Sequence, residues 1–142
     1  MSKRILFLCS GNYYRSRFAE ILFNHLAAEQ HLDWRADSRG IVAGASQYAG
    51  PISPFTVQAL DARNISMDAH RDPLQLSEED LARADRVIAL YEREHLPMMR
   101  EYFPVWLNRI EYWHVPDLDE MSSDQALATI EQNIRDLIHQ LK

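Results

Sequence analysis

The distribution of apolar residues changes twice within the N-terminal segment, and these two changes constrain the fold more than any other feature. Lys3–Cys9 is a short, nearly continuous apolar run, which is typical of a strand buried on both faces of a parallel sheet. The polar segment Ser10–Asn12 ends that run. Beyond Ser16, apolar residues fall on one face of a helix: Phe18, Ile21, Leu22 and Leu26. The order of strand, tight loop and helix predicts the opening of an α/β unit.

The same alternation continues along the rest of the chain. Further strands are predicted at Trp34–Ile41, Val87–Leu90 and Arg109–Val115. Further helices are predicted from Pro54 towards Arg63, from Ser77, over Glu92–Phe103 and from Ser122 or Ser123 to the C-terminus. Pro97 is expected in or near the first turn of its helix, because proline has no N–H to donate. Alternating strands and helices predict a parallel sheet covered on both sides.

The amino-acid composition indicates a single folded domain and excludes a disordered chain. Its 142 residues are 46% hydrophobic, which suits a single domain over residues 1–142 and excludes disorder. The net charge of −6 disfavours nucleic acid as a partner, since such proteins usually carry a basic surface. The apolar run Ile5–Cys9 is too short to span a bilayer or to form a signal-peptide core. A soluble, non-exported, cytoplasmic protein is therefore expected.

Two loops follow strands at the edge where α/β proteins form their sites, namely Cys9–Arg15 and Pro116–Ser122. Cys9 ends the first strand just before a helix N-terminus, where loop amides and the helix dipole attract anions. Positive potential of this kind favours the thiolate form of a cysteine. Arg15 supplies a guanidinium that can hold two phosphate oxygens, and the Ser16 hydroxyl could donate to the thiolate.

Cys9 is the only cysteine in the chain, so no intrachain disulfide or multi-cysteine metal centre can form. The alternative interpretation of a lone cysteine is a small buried hydrophobic residue. The six histidines show no spacing typical of metal ligands. No metal and no cofactor are therefore predicted.

A cysteine at the end of the first strand, five residues, then Arg15 and Ser16 resemble the phosphate-binding loop (P-loop) of the low-molecular-weight protein tyrosine phosphatase family. Three later segments also resemble that family: Ser38–Ile41, Asp80–His95 and Trp113–Asp117. The resemblance covers nearly the whole chain. It implies a three-layer, flavodoxin-like α/β sandwich with a four-stranded parallel sheet of order 2-1-3-4 and helices on both faces.

The resemblance also implies roles for individual residues. Cys9 attacks phosphorus and forms a cysteinyl-phosphate, while Arg15 stabilises the transferring phosphoryl group. Asp117 protonates the leaving oxygen and then takes a proton from water, with Asp119 as the rival acid and a turn aspartate as the alternative. The phosphate-binding residues are Ser10, Gly11, Asn12, Tyr13, Tyr14 and Ser16.

Some positions depart from the family pattern. Tyr14 replaces a second cysteine found in many members, which leaves Cys9 without a resolving thiol in this chain and disfavours thiol-coupled arsenate reduction. Arg17 replaces a usual proline and is expected to add positive charge at the mouth of the site. The segment Leu118–Glu120 replaces proline and aromatic residues after the catalytic aspartate, which leaves the preferred phosphorylated residue open.

Tyr13 and Tyr48 are candidates for a substrate wall, in which they stack on a phenyl ring, or for ordinary packing. The predicted function is a cysteine-dependent phosphomonoester hydrolase that acts on phosphotyrosine in proteins or on small aryl phosphates. The alternatives are a phosphatase for another phosphorylated residue and a non-catalytic phosphate-binding module. A phosphoarginine phosphatase carries a small residue where this chain has Tyr13. The oligomeric state is not predicted.

Overall fold

The computed structural model describes residues 2–44, 48–66 and 71–142. The strands are β1 (Lys3–Cys9), β2 (Trp34–Gly40), β3 (Arg86–Ala89) and β4 (Glu111–Tyr112). The helices are α1 (Arg15–Glu29), α2 (Pro54–Asp61), α3 (Glu78–Arg83), α4 (Glu92–Tyr102) and α5 (Ser123–Leu141), with a short 3₁₀ helix at Pro104–Trp106.

The four strands form one parallel sheet of order β2-β1-β3-β4, which confirms the predicted fold class. β1 is central and pairs with β2 along its whole length, from Lys3 opposite Trp34 to Cys9 opposite Gly40. On its other side β1 pairs with β3. Cys9 therefore emerges at the carboxyl edge of the middle of the sheet, where α/β proteins place their ligands.

Successive side chains of β1 point to opposite faces and enter two separate hydrophobic cores. Ile5 and Phe7 pack in the core that contains residues of α1, α2 and α5. Leu6 and Leu8 pack in the core beneath α3 and α4. From Ile5 to Cys9 both faces of the strand are buried, which explains why this stretch is apolar at consecutive positions rather than at alternate ones.

Local capping explains where the helices begin. Ser53 and Ser77 accept hydrogen bonds from the first turns of α2 and α3, and Ser77 with Asp80 forms a capping box. For α5, where the sequence left two candidates, the cap is Ser122, whose hydroxyl accepts from the Gln125 amide. In the part of the chain that the structure describes, no helix has the length and apolar character needed to cross a bilayer.

Two sequence predictions about local structure are wrong. The fourth strand is only two residues long rather than seven, because it lies at the sheet edge and, among the residues described, its strand partner is the short β3. Pro97 lies inside α4, one turn beyond its predicted place. The amide that proline lacks would bond to the carbonyl of Arg93, and both residues are exposed, so water can serve that carbonyl instead.

Candidate active site

An open cleft of about 560 Å³ lies at the carboxyl edge of the sheet. Most of the predicted site residues line it: Cys9, Ser10, Gly11, Tyr13, Tyr14, Arg15, Tyr48, Asp117 and Asp119. Asn12 and Ser16 do not line the cleft and are fully buried. The structure therefore brings the two predicted loops to one cleft, although they are about a hundred residues apart in the chain.

The sulfur of Cys9 receives hydrogen bonds in a buried setting. The backbone N–H of Asn12 donates to Cys9 Sγ at 3.2 Å, and the Ser16 hydroxyl lies 2.9 Å from the same sulfur. Asn12 Nδ2 donates to Ser16 Oγ at 2.9 Å, which leaves the hydroxyl hydrogen of Ser16 free to point to sulfur. Two hydrogen-bond donors are therefore aimed at one sulfur.

Asn12 is the centre of the network behind the sulfur. Its backbone φ of 55° is in the left-handed region that asparagine tolerates better than most residues. Its Oδ1 accepts from Arg71 Nη1 at 2.9 Å and from the Leu74 amide at 3.0 Å. Its Nδ2 also donates to Ser38 Oγ at 3.0 Å. Because Arg71 and the Leu74 amide can only donate, they determine which end of the Asn12 amide faces Ser16.

Arg17 does not lie at the mouth of the site, so that prediction is wrong. Its side chain is buried behind the loop and donates to the carbonyl oxygens of Asn12, Pro51 and Arg71. Burial, together with the charge of nearby Arg71, lowers the pKa of Arg17 to about 10. The guanidinium therefore links three segments around the Cys9–Ser16 loop instead of adding charge at the entrance of the cleft.

Gly11 lies directly against the side chain of Tyr48. A Cβ atom at this position would overlap the Tyr48 hydroxyl, so a larger residue here would displace the Tyr48 side chain. The rings of Tyr48 and Tyr13 stack in parallel at 4.1 Å, and Tyr13 donates its hydroxyl to the Ala49 carbonyl. The two candidate wall residues therefore pack on each other beside the loop, while both still line the cleft.

Arg15 is buried at the start of α1 and is held at both ends of its guanidinium. Nη1 donates to the Val115 carbonyl at 2.9 Å, and Nη2 donates to Glu94 Oε2 at 2.9 Å. Asp117 Oδ2 lies 3.5 Å from the same Nη2. Burial lowers the pKa of Arg15, but the negative charges of Cys9, Glu94 and Asp117 outweigh it, so the guanidinium stays charged.

Glu94 is a site residue that the sequence reasoning missed. Its Oε2 accepts from Ser10, from His95 Nε2 and from Arg15. The Tyr91 amide donates to His95 Nδ1, so His95 is neutral and carries its proton on Nε2. Burial lowers the pKa of His95 and by itself raises that of Glu94. The hydrogen bonds from His95 and Ser10 and the charge of Arg15 nevertheless hold the pKa of Glu94 well below its usual range.

A signal for Glu94 was present in the sequence. The segment after β3 reaches the same edge of the sheet as the two loops that were singled out, because parallel strands end together. Charged residues that follow any strand of the sheet are therefore candidates for the site. The roles of Ser38 and Arg71 depend on contacts with Asn12, which local sequence patterns do not show.

Asp117 lies at the rim of the cleft, and its side chain is 47% exposed. Its Oδ1 accepts from the Leu118 amide at 2.8 Å, as expected for an aspartate in a turn, while Oδ2 faces Arg15. Asp119 also lines the cleft. Of the residues described, Glu94 and Asp117 are the carboxylates that pair with Arg15. Within the same residues, no group of three or more His, Cys, Asp and Glu side chains could hold a metal ion.

A thiol, a guanidinium and three carboxylates thus line one cleft, and known proteins are similar to this chain in sequence and fold. The chain is 29% identical to a protein-arginine-phosphatase of Bacillus subtilis over an alignment of 150 positions, covering 97% of this chain and 96% of that protein. It is 37% identical over 98 residues to the low molecular weight protein-tyrosine-phosphatase YfkJ of the same organism, covering 68% of this chain and 60% of the other.

The fold matches a crystal structure of a low molecular weight protein tyrosine phosphatase from T. tengcongensis with a TM-score of 0.82 and 30% identity, over 99% of this chain and all of the other. The family model for low molecular weight phosphotyrosine protein phosphatase matches residues 4–142. The chain therefore belongs to the low molecular weight phosphotyrosine protein phosphatase family and is a phosphoric monoester hydrolase.

Proposed function

We propose that this phosphatase acts on phosphotyrosine in proteins, through a cysteinyl-phosphate intermediate formed on Cys9. The observation that carries the proposal is the cleft itself, in which Cys9, Arg15 and Asp117 meet. The sulfur of Cys9 faces two hydrogen-bond donors, and Arg15 is charged and anchored beside it. This arrangement is the one that nucleophilic phosphoryl transfer requires.

In the first step the Cys9 thiolate attacks phosphorus, so that a P–S bond forms while the P–O bond to the leaving group breaks. Arg15 stabilises the charge on the equatorial oxygens, and protonated Asp117 gives its proton to the leaving oxygen. In the second step water attacks phosphorus and passes a proton to Asp117. The P–S bond then breaks, which releases inorganic phosphate and restores the thiolate.

The walls of the cleft favour an aryl leaving group. Tyr13 and Tyr48 line one part of the cleft, and Phe55 and Leu118 line others. Apolar and aromatic walls of this kind bury the planar face of a phenyl ring while its phosphate reaches the loop. This feature supports phosphotyrosine, with Tyr13 and Tyr48 as proposed wall residues.

Phosphoarginine is the second candidate, because one of the relatives is a protein-arginine-phosphatase. The carboxylates of Glu94 and Asp117 line the cleft and could accept hydrogen bonds from a guanidinium. The bulk of Tyr13 next to Asn12 argues against it. Matched peptides that differ only in phosphotyrosine or phosphoarginine decide the question, and higher kcat/KM for the tyrosine peptide is expected.

The mechanism is tested with p-nitrophenyl phosphate in the presence of a metal chelator. We expect hydrolysis without added metal and its loss in Cys9→Ser, because serine at this position is a far weaker nucleophile. Activity that needs metal, or that survives the substitution, would contradict the mechanism. Binding of phosphate without turnover in the unmodified protein would favour the non-catalytic module.

The identity of the acid is tested by comparing Asp117→Ala with Asp119→Ala over aryl phosphates of different leaving-group pKa. Asp117→Ala is expected to slow kcat by about 100-fold for poor leaving groups and much less for good ones, because proton donation matters most when the leaving oxygen is basic. Asp119→Ala serves as the matched control. The reverse pattern would assign the acid to Asp119.

A further inference from the structure

The position of Glu94 is unexpected, because a carboxylate beside the phosphate-binding arginine opposes the binding of an anion. Its side chain is 25% exposed and lines the cleft, so it lies at the binding surface rather than beneath it. Three donors hold one of its oxygens, from the loop, from α4 and from α1. Glu94 is therefore a fixed part of the cleft and not a surface side chain that meets Arg15 by chance.

We infer that Glu94 is a resident anion that orients Arg15 and limits how tightly the cleft holds phosphate, so that the product leaves readily after hydrolysis. The inference rests on the proposed function of the cleft. It assigns to Glu94 a positioning role and a control of product affinity.

The hydrogen bonds of Arg15 show how orientation is achieved. Val115 and Glu94 hold opposite ends of the guanidinium, while Asp117 is a longer, weaker contact on Nη2. A bidentate grip on phosphate needs two parallel N–H groups of the guanidinium. When Asp117 takes up the proton that it later donates, it loses the charge that draws it to Arg15. Phosphate can then replace Asp117 on Nη2, while Glu94 keeps the plane of the guanidinium fixed.

The charge of Glu94 persists during this exchange. Neutral His95 donates its Nε2 proton but brings no positive charge, and Ser10 likewise contributes only a hydrogen bond. The pKa of Glu94 lies well below its usual range, so the carboxylate is ionised throughout the neutral range. Phosphate and Glu94 then share the single charge of Arg15 across a few ångströms, and their repulsion weakens binding of the dianion.

Substitution of Glu94 has opposite effects on anion binding if it is a resident anion and if its role is purely structural. If Glu94 only anchored the Cys9–Ser16 loop, its substitution would loosen that loop and weaken anion binding. A resident anion, when neutralised, strengthens anion binding because Arg15 no longer shares its charge. Glu94→Gln separates the two roles, since glutamine keeps the length of the side chain and one oxygen acceptor but removes the charge.

The experiment measures binding of inorganic phosphate by its protection of Cys9 from alkylation with iodoacetamide, a readout that does not depend on turnover. Glu94→Gln is expected to bind phosphate about tenfold more tightly than the unmodified protein, as removal of one nearby like charge predicts. With p-nitrophenyl phosphate, KM and the phosphate inhibition constant fall together, while kcat falls because Arg15 is less well oriented. Glu101→Gln, an exposed position on the same helix with the same charge change, is the matched control and leaves all values unchanged.

Unchanged or weaker phosphate binding in Glu94→Gln overturns the inference and leaves Glu94 as a structural anchor. If that variant does not fold, Glu94→Met removes the same charge with a side chain of similar length and is judged by the same criterion. Failure of the proposed function is distinguishable: a protein that binds phosphate at Cys9 but hydrolyses nothing refutes the function, whereas the effect of Glu94 on binding is still measured.

Discussion

The cleft consists of two regions built in opposite ways. The cradle, formed by Cys9, Asn12, Arg15 and Ser16, is at most 3% exposed at each of these residues and is saturated with hydrogen bonds. The mouth, formed by Tyr48, Phe55 and Leu118, is 40% to 46% exposed. A buried, hydrogen-bonded region of this kind is preorganised, whereas exposed side chains can change with little effect on their neighbours. We therefore expect catalysis and substrate preference to respond to different substitutions in this protein.

The largest effect is expected from Asn12→Gly, which tests the cradle. Glycine tolerates the left-handed backbone, so the substitution removes only the side-chain contacts, which join Asn12 to Ser16, Ser38, Arg71 and the Leu74 amide. We expect kcat to fall by about 100-fold, since the orientation of Ser16 towards the sulfur is lost. The free energy of unfolding should fall by about 2–3 kcal/mol, because buried polar partners lose their hydrogen bonds. Steady-state kinetics and urea denaturation measure the two effects.

Asn64→Gly is the matched control for that prediction. Asn64 also has a left-handed backbone, with φ of 60°, but it is exposed and lies outside the cleft. Its replacement by glycine is expected to leave kcat unchanged and stability within about 0.5 kcal/mol. Equal losses in the two variants would show that the cradle depends on the backbone at Asn12 and not on its side-chain network.

A smaller effect, on KM rather than on kcat, is expected from substitutions at the mouth. Leu118→Ala and Phe55→Ala should raise KM for a phosphotyrosine peptide by about two- to fivefold each, because they remove partly exposed apolar surface from the rim. kcat should stay within about twofold, since neither side chain contacts the reacting groups. Val105→Ala, an exposed apolar position outside the cleft, serves as the control. A large loss of kcat in the mouth variants would contradict the separation of the two regions.

The smallest effect is expected from Tyr14→Phe, because it alters the edge of the cradle without touching the sulfur. The hydroxyl of Tyr14 is buried and finds no hydrogen-bond partner among the residues described. Its removal should raise the free energy of unfolding by about 1 kcal/mol, the cost of an unsatisfied buried polar group. Urea denaturation at neutral pH measures the change, and no gain would show that the hydroxyl is satisfied.

The same variant predicts a pH dependence. Burial, with a contribution from the charge of Asp117, raises the pKa of Tyr14 to about 12. The folded protein therefore holds this proton more tightly than the unfolded chain does, and the associated stability is lost as pH rises from about 10 through about 12. Tyr14→Phe cannot lose it, so the stability advantage of the variant should widen over that interval. A constant difference between the two proteins would contradict the raised pKa.

Local sequence signals were sufficient for most of the fold. The apolar run of β1, the helical spacing in α1 and the starts of α2 at Pro54 and of α5 at Ser122 or Ser123 all depend on neighbouring residues, and each was predicted. The sheet edge was harder, because the length of β4 depends on how far β3 extends beside it. Strand order came from the family resemblance, since local patterns do not specify which strands pair.

The features of the site likewise divide into those that local sequence predicts and those that depend on the tertiary structure. The Cys9–Ser16 loop could be predicted from local sequence, since a strand, a polar turn and a helix N-terminus are adjacent in the chain. The pairing of Glu94 with Arg15, the contact of Arg71 with Asn12 and the burial of Arg17 all depend on the tertiary structure. Each of these contacts joins side chains across different elements, and their geometry exists only once the sheet has brought its carboxyl ends together.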